Sequence, residues 1–413
     1  MKNSGPRDSV IVGLDIGTSK VACVVGERNS FGGVDVTGIG SHPSRGLRKG
    51  AVINIEDTVR SIQAAVEEAE MMAGVEVNSV YTNIAGGHIR CVNSTGMVPI
   101  RGGQVAQTDV DKVLEAAQTV AIPMDRRVIH VIPQQFKIDE QEEIDDPRGM
   151  SGVRLSAEVH IVTAAVAAAQ NIVRCCDLMR LDVRDIVLGP LASAEAVLTV
   201  DEKELGVLLL DVGGGTTDLS IYSQGAVLHS FVLPVGGDHI DSDIAYALRA
   251  SNTVAGRIKQ EHGCALRDLV QETDPFDFMQ VGGDRIHTTN KGMLSEVIEP
   301  RVNEMFELLS NELRRIGHSG VLPAGVVVTG GGSQLPGMLE AAERFLGMPA
   351  RRGIPREVGG LSDVVGTPEY ATGVGLVKFG LENYASPGPF GQRDSGFVQR
   401  ITGRVGRWFD LAF

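Results

Sequence analysis

Residues 207–218 read Val-Leu-Leu-Leu-Asp-Val-Gly-Gly-Gly-Thr-Thr-Asp, and this stretch decides the fold class. The apolar run predicts a buried strand that ends at Asp211. Three consecutive glycines cost more conformational entropy on folding than a simple turn would justify, so they indicate a backbone that approaches a ligand closely. The neighbouring carboxylates and hydroxyls suit a phosphate group and a hydrated Mg²⁺. The stretch therefore predicts a strand followed by a phosphate-binding loop.

A similar pattern occurs earlier in the chain, where residues 11–20 read Ile-Val-Gly-Leu-Asp-Ile-Gly-Thr-Ser-Lys. Asp15 and Asp211 lie 196 positions apart, which indicates a duplicated domain. A third strand-to-loop pattern follows at residues 326–337, and short β-rich runs alternate with helical ones such as 58–73. This alternation is typical of an α/β fold. Segments 84–159 and 231–320 are candidates for insertions into the two halves.

The paired loops predict a polyphosphate site between the two halves. Backbone N–H groups, hydroxyls and one cation would bind phosphate, and Asp15 and Asp211 would hold the metal, with their relative importance left open. The alternative for the first loop alone is an ordinary β-turn. Neither a GxxxxGK[ST] P-loop nor a GxGxxG dinucleotide motif is present. The predicted ligands in these loops are Asp15, Gly17, Thr18, Ser19, Lys20, Asp211, Gly213, Gly214, Gly215, Thr216 and Thr217.

Composition limits the classes of protein to consider. The 413 residues allow about two to four compact units. A net charge of −14 argues against nucleic acid as a partner, because phosphate neutralisation needs clustered Lys and Arg. Five cysteines without CxxC spacing indicate reduced thiols and no zinc. The first apolar run is too short for a signal peptide or a membrane span, so we expect a cytoplasmic protein.

The C-terminal residues 396–413 form a basic amphipathic pattern after a linker rich in Pro and Gly. At about 100° per residue, the apolar side chains share one face of a helix and arginines lie along its edge. This composition predicts a helix that lies in an anionic membrane surface. The alternative is a final helix packed on the protein's own core. The predicted membrane residues are Phe397, Val398, Arg400, Ile401, Arg404, Val405, Arg407, Trp408 and Phe409.

The three loops, in this order, resemble the signature of the superfamily that contains actin, DnaK-type chaperones and sugar kinases. The resemblance implies ATP and Mg²⁺ as ligands, with hydrolysis weak at most because Gly189 stands where many members carry Glu. It also places Lys259 near the adenine, although Arg257 stands where many relatives have an acid. Residues implied beside the adenosine and ribose are Gly236, Gly237, Gly330, Gly331, Gly332 and Gln334.

Within the superfamily, the chain resembles the FtsA family of bacterial cell-division proteins from about Ser9 to Phe413. Stretches 96–100, 127–134 and 149–154 look like the subdomain that this family inserts in the first half, and 236–245 and 297–301 also match. The resemblance implies self-association into a homopolymer and contacts with other division proteins. It further implies that Lys291 and Arg301 face the C-terminal tail of FtsZ, at the division site on the inner face of the membrane.

The expected fold is therefore an actin-like duplicated α/β fold with two halves around a nucleotide cleft. We expect a first core over 8–83 and 160–196, an inserted subdomain over 84–159, and a second core over 197–230 and 321–380. A lobe for FtsZ would span 231–320, followed by a linker over 381–395 and the helix over 396–413. The alternatives are the related adaptor of type IV pilus assembly, a sugar kinase and a DnaK-type chaperone.

Overall fold

The computed structural model describes residues 10–30, 32–271, 274–282, 286–317 and 322–383. The predicted membrane helix at 396–413 lies outside these ranges. The strands are β1 Val10–Ile16, β2 Lys20–Arg28, β3 Val34–Pro43, β4 Leu47–Arg48, β5 Ala51–Val52, β6 Ser79–Ile84, β7 Arg90–Pro99, β8 Arg126–Ile138, β9 Gln141–Ile144, β10 Arg154–Ala165, β11 Asp182–Leu188, β12 Val207–Val212, β13 Thr217–Ser223, β14 Ala226–Leu233, β15 Pro275–Met279, β16 Ile286–Asn290, β17 Val326–Thr329, β18 Ala350–Arg352 and β19 Val358–Gly360. The α-helices are α1 Ile55–Ala73, α2 Gln107–Ala117, α3 Val166–Leu178, α4 Gly189–Val197, α5 Val200–Leu205, α6 Gly237–Leu248, α7 Asn252–His262, α8 Lys291–Arg315, α9 Met338–Leu346, α10 Ser362–Val365 and α11 Ala371–Asn383.

The two central sheets repeat one arrangement, as the two Asp-bearing stretches predicted. In the first half, the order is β11-β6-β1-β2-β3-β19, with β1 antiparallel to β2 and parallel to β6. In the second half, the order is β14-β13-β12-β17-β18, with β12 antiparallel to β13 and parallel to β17. In both sheets the strand that carries the Asp is buried among aliphatic residues. The duplicated α/β fold is therefore confirmed.

An antiparallel sheet with the order β7-β10-β8-β9 forms the inserted subdomain, and α2 packs on it over a separate apolar core. The predicted boundary at 159/160 is wrong, because β10 continues to Ala165 and pairs with β8 as far as Arg126. The boundary at 230/231 falls inside β14, which stays hydrogen-bonded to β13 as far as Leu233. The predicted start of the linker at 381 is also early, since α11 continues to Asn383.

Polar side chains hold the inserted subdomain against the second half. His160 is fully buried, with Nδ1 2.6 Å from Asn93 Oδ1 and Nε2 2.8 Å from Ser230 Oγ. Burial lowers the pKa of His160 to about 3, so the ring is neutral at ordinary pH. The amide of Gln134 donates to the carbonyl of Val227 on β14 at 2.8 Å. The interface is thus specific and hydrogen-bonded rather than purely apolar.

Helices α4 and α11 pack closely between the two halves. A Cβ on Gly375 would lie 1.7 Å from the carbonyl oxygen of Ala192, so only glycine permits this distance. The lobe formed by α6, α7, β15, β16 and α8 belongs to the second core cluster, which includes Phe306 and Phe276. In the part of the chain that the structure describes, every helix is too short or too polar to cross a bilayer.

Candidate nucleotide-binding site

A cleft of about 940 Å³ separates the two halves. The loops after β1, β12 and β17 all open into it, because each of these strands ends at the same side of its sheet. Seventeen of the eighteen residues that the sequence predicted as nucleotide ligands line this cleft. Residues 196 positions apart in the chain are therefore brought to one site.

Thr217, also predicted as a nucleotide ligand, is the exception, because it does not line the cleft. It is the first residue of β13, and its fully buried hydroxyl donates to the carbonyl of Val235 at 2.8 Å. The preceding Thr216 does line the cleft, and its hydroxyl lies 3.4 Å from Asp218 Oδ2. Neighbouring side chains at the start of a strand point to opposite sides, so the two threonines have different environments.

Three buried carboxylates form the floor of the cleft. Burial raises the pKa of Asp15 to about 7, with the nearby charge of Lys20 opposing that shift and Asp211 adding to it. Burial also raises the pKa of Asp211, against hydrogen bonds from Ser193 and from Thr372, whose hydroxyl lies 3.2 Å away. The pKa of Asp218 is raised well above its ordinary range, chiefly by burial, and its Oδ1 has no hydrogen-bond partner.

The donor set of this floor fits Mg²⁺. Within the described residues, no three His, Cys, Asp or Glu side chains lie close enough to ligate one ion directly. Mg²⁺ keeps several waters and is commonly held by one or two carboxylates together with phosphate oxygens. Asp15, Asp211 and the unpaired oxygen of Asp218 would hold a hydrated ion in that way, and its charge would favour their ionised forms.

The sequence missed several residues that position these groups. Asn83 at the end of β6 donates to Asp15 Oδ1 at 2.6 Å and accepts from the backbone N–H of Ile16 at 2.8 Å. A polar Asn in an otherwise buried strand was a usable signal for this role. Thr372 and Glu369, which also line the cleft, come from the stretch before and at the start of α11 and carried no such signal.

The outer cleft contains the residues that the sequence placed beside adenosine. Gly330 has a φ of 78°, a left-handed conformation in which other residues are strained, and its N–H donates to the carbonyl of Pro368. Lys259 forms an ion pair with Asp241 at 2.8 Å and donates to the carbonyl of Gly237 at 3.0 Å. Arg257 is exposed and does not line the cleft.

The two residues predicted to face a partner peptide have different environments. Lys291, at the start of α8, is part-exposed and pairs with Asp274 at 3.3 Å. Arg301 instead lines the cleft, where its Nε lies 2.7 Å from Asp243 Oδ2 and its Nη2 lies 3.1 Å from Oδ1. This pairing raises the pKa of Arg301 and neutralises its charge, so Arg301 is poorly suited to attract an acidic peptide.

Comparisons with known proteins agree with this architecture. The family model of the SHS2 domain inserted in FtsA matches residues 86–163, and the model of the cell division protein FtsA matches residues 208–375. The chain is 51% identical to the cell division protein FtsA of Pseudomonas aeruginosa over 90% of this chain and 89% of the relative. It is 41% identical to the cell division protein FtsA of Escherichia coli K12 over 97% of this chain and 95% of the relative.

Solved structures with lower sequence identity share the fold. A chain of the PilM-PilN type IV pilus biogenesis complex has a TM-score of 0.65 at 19% identity and covers 90% of this chain and 98% of its own length. MreB5 of Spiroplasma citri, solved bound to ADP, has a TM-score of 0.55 at 13% identity. The match covers 92% of this chain and 99% of the MreB5 chain. The fold is thus actin-like, and the identities over almost the whole length show that the chain belongs to the FtsA family of cell division proteins.

Proposed function

We propose that this protein binds ATP with Mg²⁺ in the cleft, polymerises in that state, and anchors the FtsZ ring to the cytoplasmic membrane during cell division. The observation that carries the proposal is the convergence of three strand-end loops on a cleft floored by buried carboxylates. Buried carboxylates that lie close together are costly to ionise, and a bound Mg²⁺ would offset that cost. The fold neighbour MreB5, solved with ADP, supports an adenine nucleotide as the ligand.

ATP would act mainly as a conformational ligand in this account. Gly189 lines the cleft beside Asp218 and offers no side chain to orient an attacking water. In-line attack on the γ-phosphate is slow without such a group, so we expect at most weak ATPase activity. A nucleotide that contacts both halves favours the closed arrangement over open ones by its difference in affinity.

Membrane attachment would use the C-terminal residues 396–413, which lie outside the described residues. The support for it is the sequence: an apolar face with Trp408, and Arg400, Arg404 and Arg407 along its edge. One short amphipathic helix binds reversibly, and polymerisation strengthens such attachment through multivalency. The proposed location is the cytoplasmic face of the inner membrane at the division site, as a peripheral protein.

The lobe that contains α8 is the proposed docking site for the FtsZ tail. Lys291 is the better candidate of the two predicted cations, because its single ion pair with Asp274 is exposed and weak. Contacts with other division proteins and with further copies of this chain follow from membership of the family and belong to the same proposal.

Flotation on anionic liposomes tests the anchor. The purified full-length chain with ATP and Mg²⁺ is compared with a chain that ends at Ser395 and with Trp408→Glu. We expect the unaltered chain to float and to carry a fluorescent peptide of the FtsZ tail with it, whereas the truncated chain and Trp408→Glu should not float. Lys291→Glu should still float but lose the peptide, with Arg184→Glu, an exposed cation that pairs with Asp182 in the first half, as the matched control. Flotation of the truncated chain would refute the anchor.

A further inference from the structure

Lys20 has unusual surroundings for a cation at the end of a phosphate loop. Its Nζ lies 3.4 Å from Glu369 Oε2 and 3.5 Å from the centre of the Tyr370 ring. Burial lowers the pKa of Lys20, and the nearby charges of Glu369 and Asp15 oppose that shift. An ammonium group that is shielded from water in this way strongly favours an anion beside it, and Glu369 supplies that anion in this structure.

Glu369 and Tyr370 belong to a short segment, residues 367–372, that contacts all three cleft loops. Besides the contact with Lys20, the hydroxyl of Thr372 lies 3.2 Å from Asp211 Oδ2 on the second loop. The carbonyl of Pro368 accepts from the N–H of Gly330 on the third loop at 3.2 Å. Glu369 itself lies beside Gly331 and is 40% exposed towards the cleft.

We infer that Glu369 is a specificity-determining residue that holds Lys20 in the absence of ligand and competes with nucleotide phosphates for it. This inference rests on the proposed nucleotide binding. The carboxylate and the phosphates would be like charges on either side of one ammonium group, so the phosphates must replace Glu369 as the closest anion. The Tyr370 ring keeps Nζ in place during this exchange, because a cation–π contact does not depend on the carboxylate.

The exchange has a measurable consequence. Replacing Glu369 by Gln removes the competing charge and keeps the shape of the side chain. We expect Glu369→Gln to lower the Kd for ADP and ATP by at least about threefold. A change of this size matches the interaction free energy of a part-exposed ion pair. Adenosine, which has no phosphate to bind Lys20, should be unaffected.

A double-mutant cycle separates this competition from simple long-range repulsion. Binding of ADP and ATP is measured by calorimetric titration for the full chain, Glu369→Gln, Lys20→Met and the double variant. We expect the gain from Glu369→Gln to disappear in the Lys20→Met background. Glu357→Gln is the matched control, because it also removes one negative charge. Glu357 pairs with Lys378 at 3.8 Å and does not line the cleft.

Each result has one meaning. A gain that is confined to the chain with Lys20 supports the competition. Equal gains in both backgrounds, or no gain, overturn it while the proposed nucleotide binding stands. Absence of nucleotide binding by the unaltered chain overturns both proposals.

Discussion

The hydroxyl of Ser19 donates a hydrogen bond to Asp238 Oδ1 at 3.2 Å, which joins the loop after β1 in the first half to the start of α6 in the second. Gly214 permits this approach, because a Cβ there would lie 1.7 Å from Ser19 Oγ and 2.8 Å from Asp238 Oδ1. The glycines of the second loop thus let the two halves meet across the mouth of the cleft. A ligand in the cleft would contact both halves at once.

The adjacent residues Thr216 and Thr217 provide a matched pair of substitutions. We expect Thr216→Val to weaken nucleotide binding severalfold, because its hydroxyl lies in the cleft beside Asp218. Thr217→Val should leave nucleotide affinity unchanged and lower the free energy of unfolding by about 1 kcal/mol, since the Val235 carbonyl loses its donor. Calorimetric titration and urea denaturation measure the two quantities. Weaker binding by Thr217→Val alone would contradict this assignment.

The binding of Mg²⁺ should depend on pH through Asp15. Its pKa is about 7 in the folded chain, against an ordinary value of 3.8, so the folded state holds more protons between these pH values. Without metal, this carboxyl therefore makes the free energy of unfolding fall as pH rises from about 4 to 7. Mg²⁺ needs the ionised carboxyl, so its affinity should rise up to about tenfold per pH unit until pH 7.

Thermal melting with and without Mg²⁺ between pH 5.5 and 8 checks this dependence. The increase in Tm that Mg²⁺ causes should grow as pH rises through 7 and then level off. In Asp15→Asn, which cannot ionise and keeps an oxygen to accept from Asn83, the part of the dependence due to Asp15 should disappear. An unchanged pH profile in that variant would show that Asp15 is not the titrating group.

An engineered disulfide tests the docking of the inserted subdomain. Cys91 Sγ lies 3.1 Å from Ser230 Oγ, so Ser230→Cys places two thiols in contact across the interface. We expect mild oxidation to link them and to change mobility on a non-reducing gel, without changing nucleotide affinity. The variant with Cys91→Ser and Ser230→Cys is the control that cannot form this link. If Ser230→Cys stays reduced under conditions that oxidise an exposed dithiol, the docked arrangement is wrong.

The sequence predicted the parts of this fold that depend on local pattern. The repeated pattern predicted a strand that carries Asp15, and β1 is that strand. Residues 58–73 lie within α1, which begins three residues earlier after the N-cap Asn54. The cleft loops were predictable because the same strand, carboxylate and glycine pattern occurs twice.

Side-chain direction and long-range pairing were harder to predict. Thr216 and Thr217 are adjacent residues of the same type, so the sequence does not distinguish them. Their side chains point in opposite directions only because β13 begins at Thr217. Arg301 was expected to face a peptide, but Asp243, 58 positions earlier, holds it at the cleft. Glu369 reaches Lys20 only because α11 returns to the first half, and no local signal reports such a contact.

The most direct test of the account is calorimetric titration of the full chain with ATP in the presence and absence of Mg²⁺, compared with Asp211→Asn. We predict that Mg²⁺ strengthens ATP binding to the unaltered chain by at least about tenfold, and that Asp211→Asn, which keeps an oxygen for Ser193 and Thr372, loses most of that gain. Equal binding of ATP by both chains, with or without Mg²⁺, would contradict the claim that the buried carboxylates of this cleft form a metal–nucleotide site.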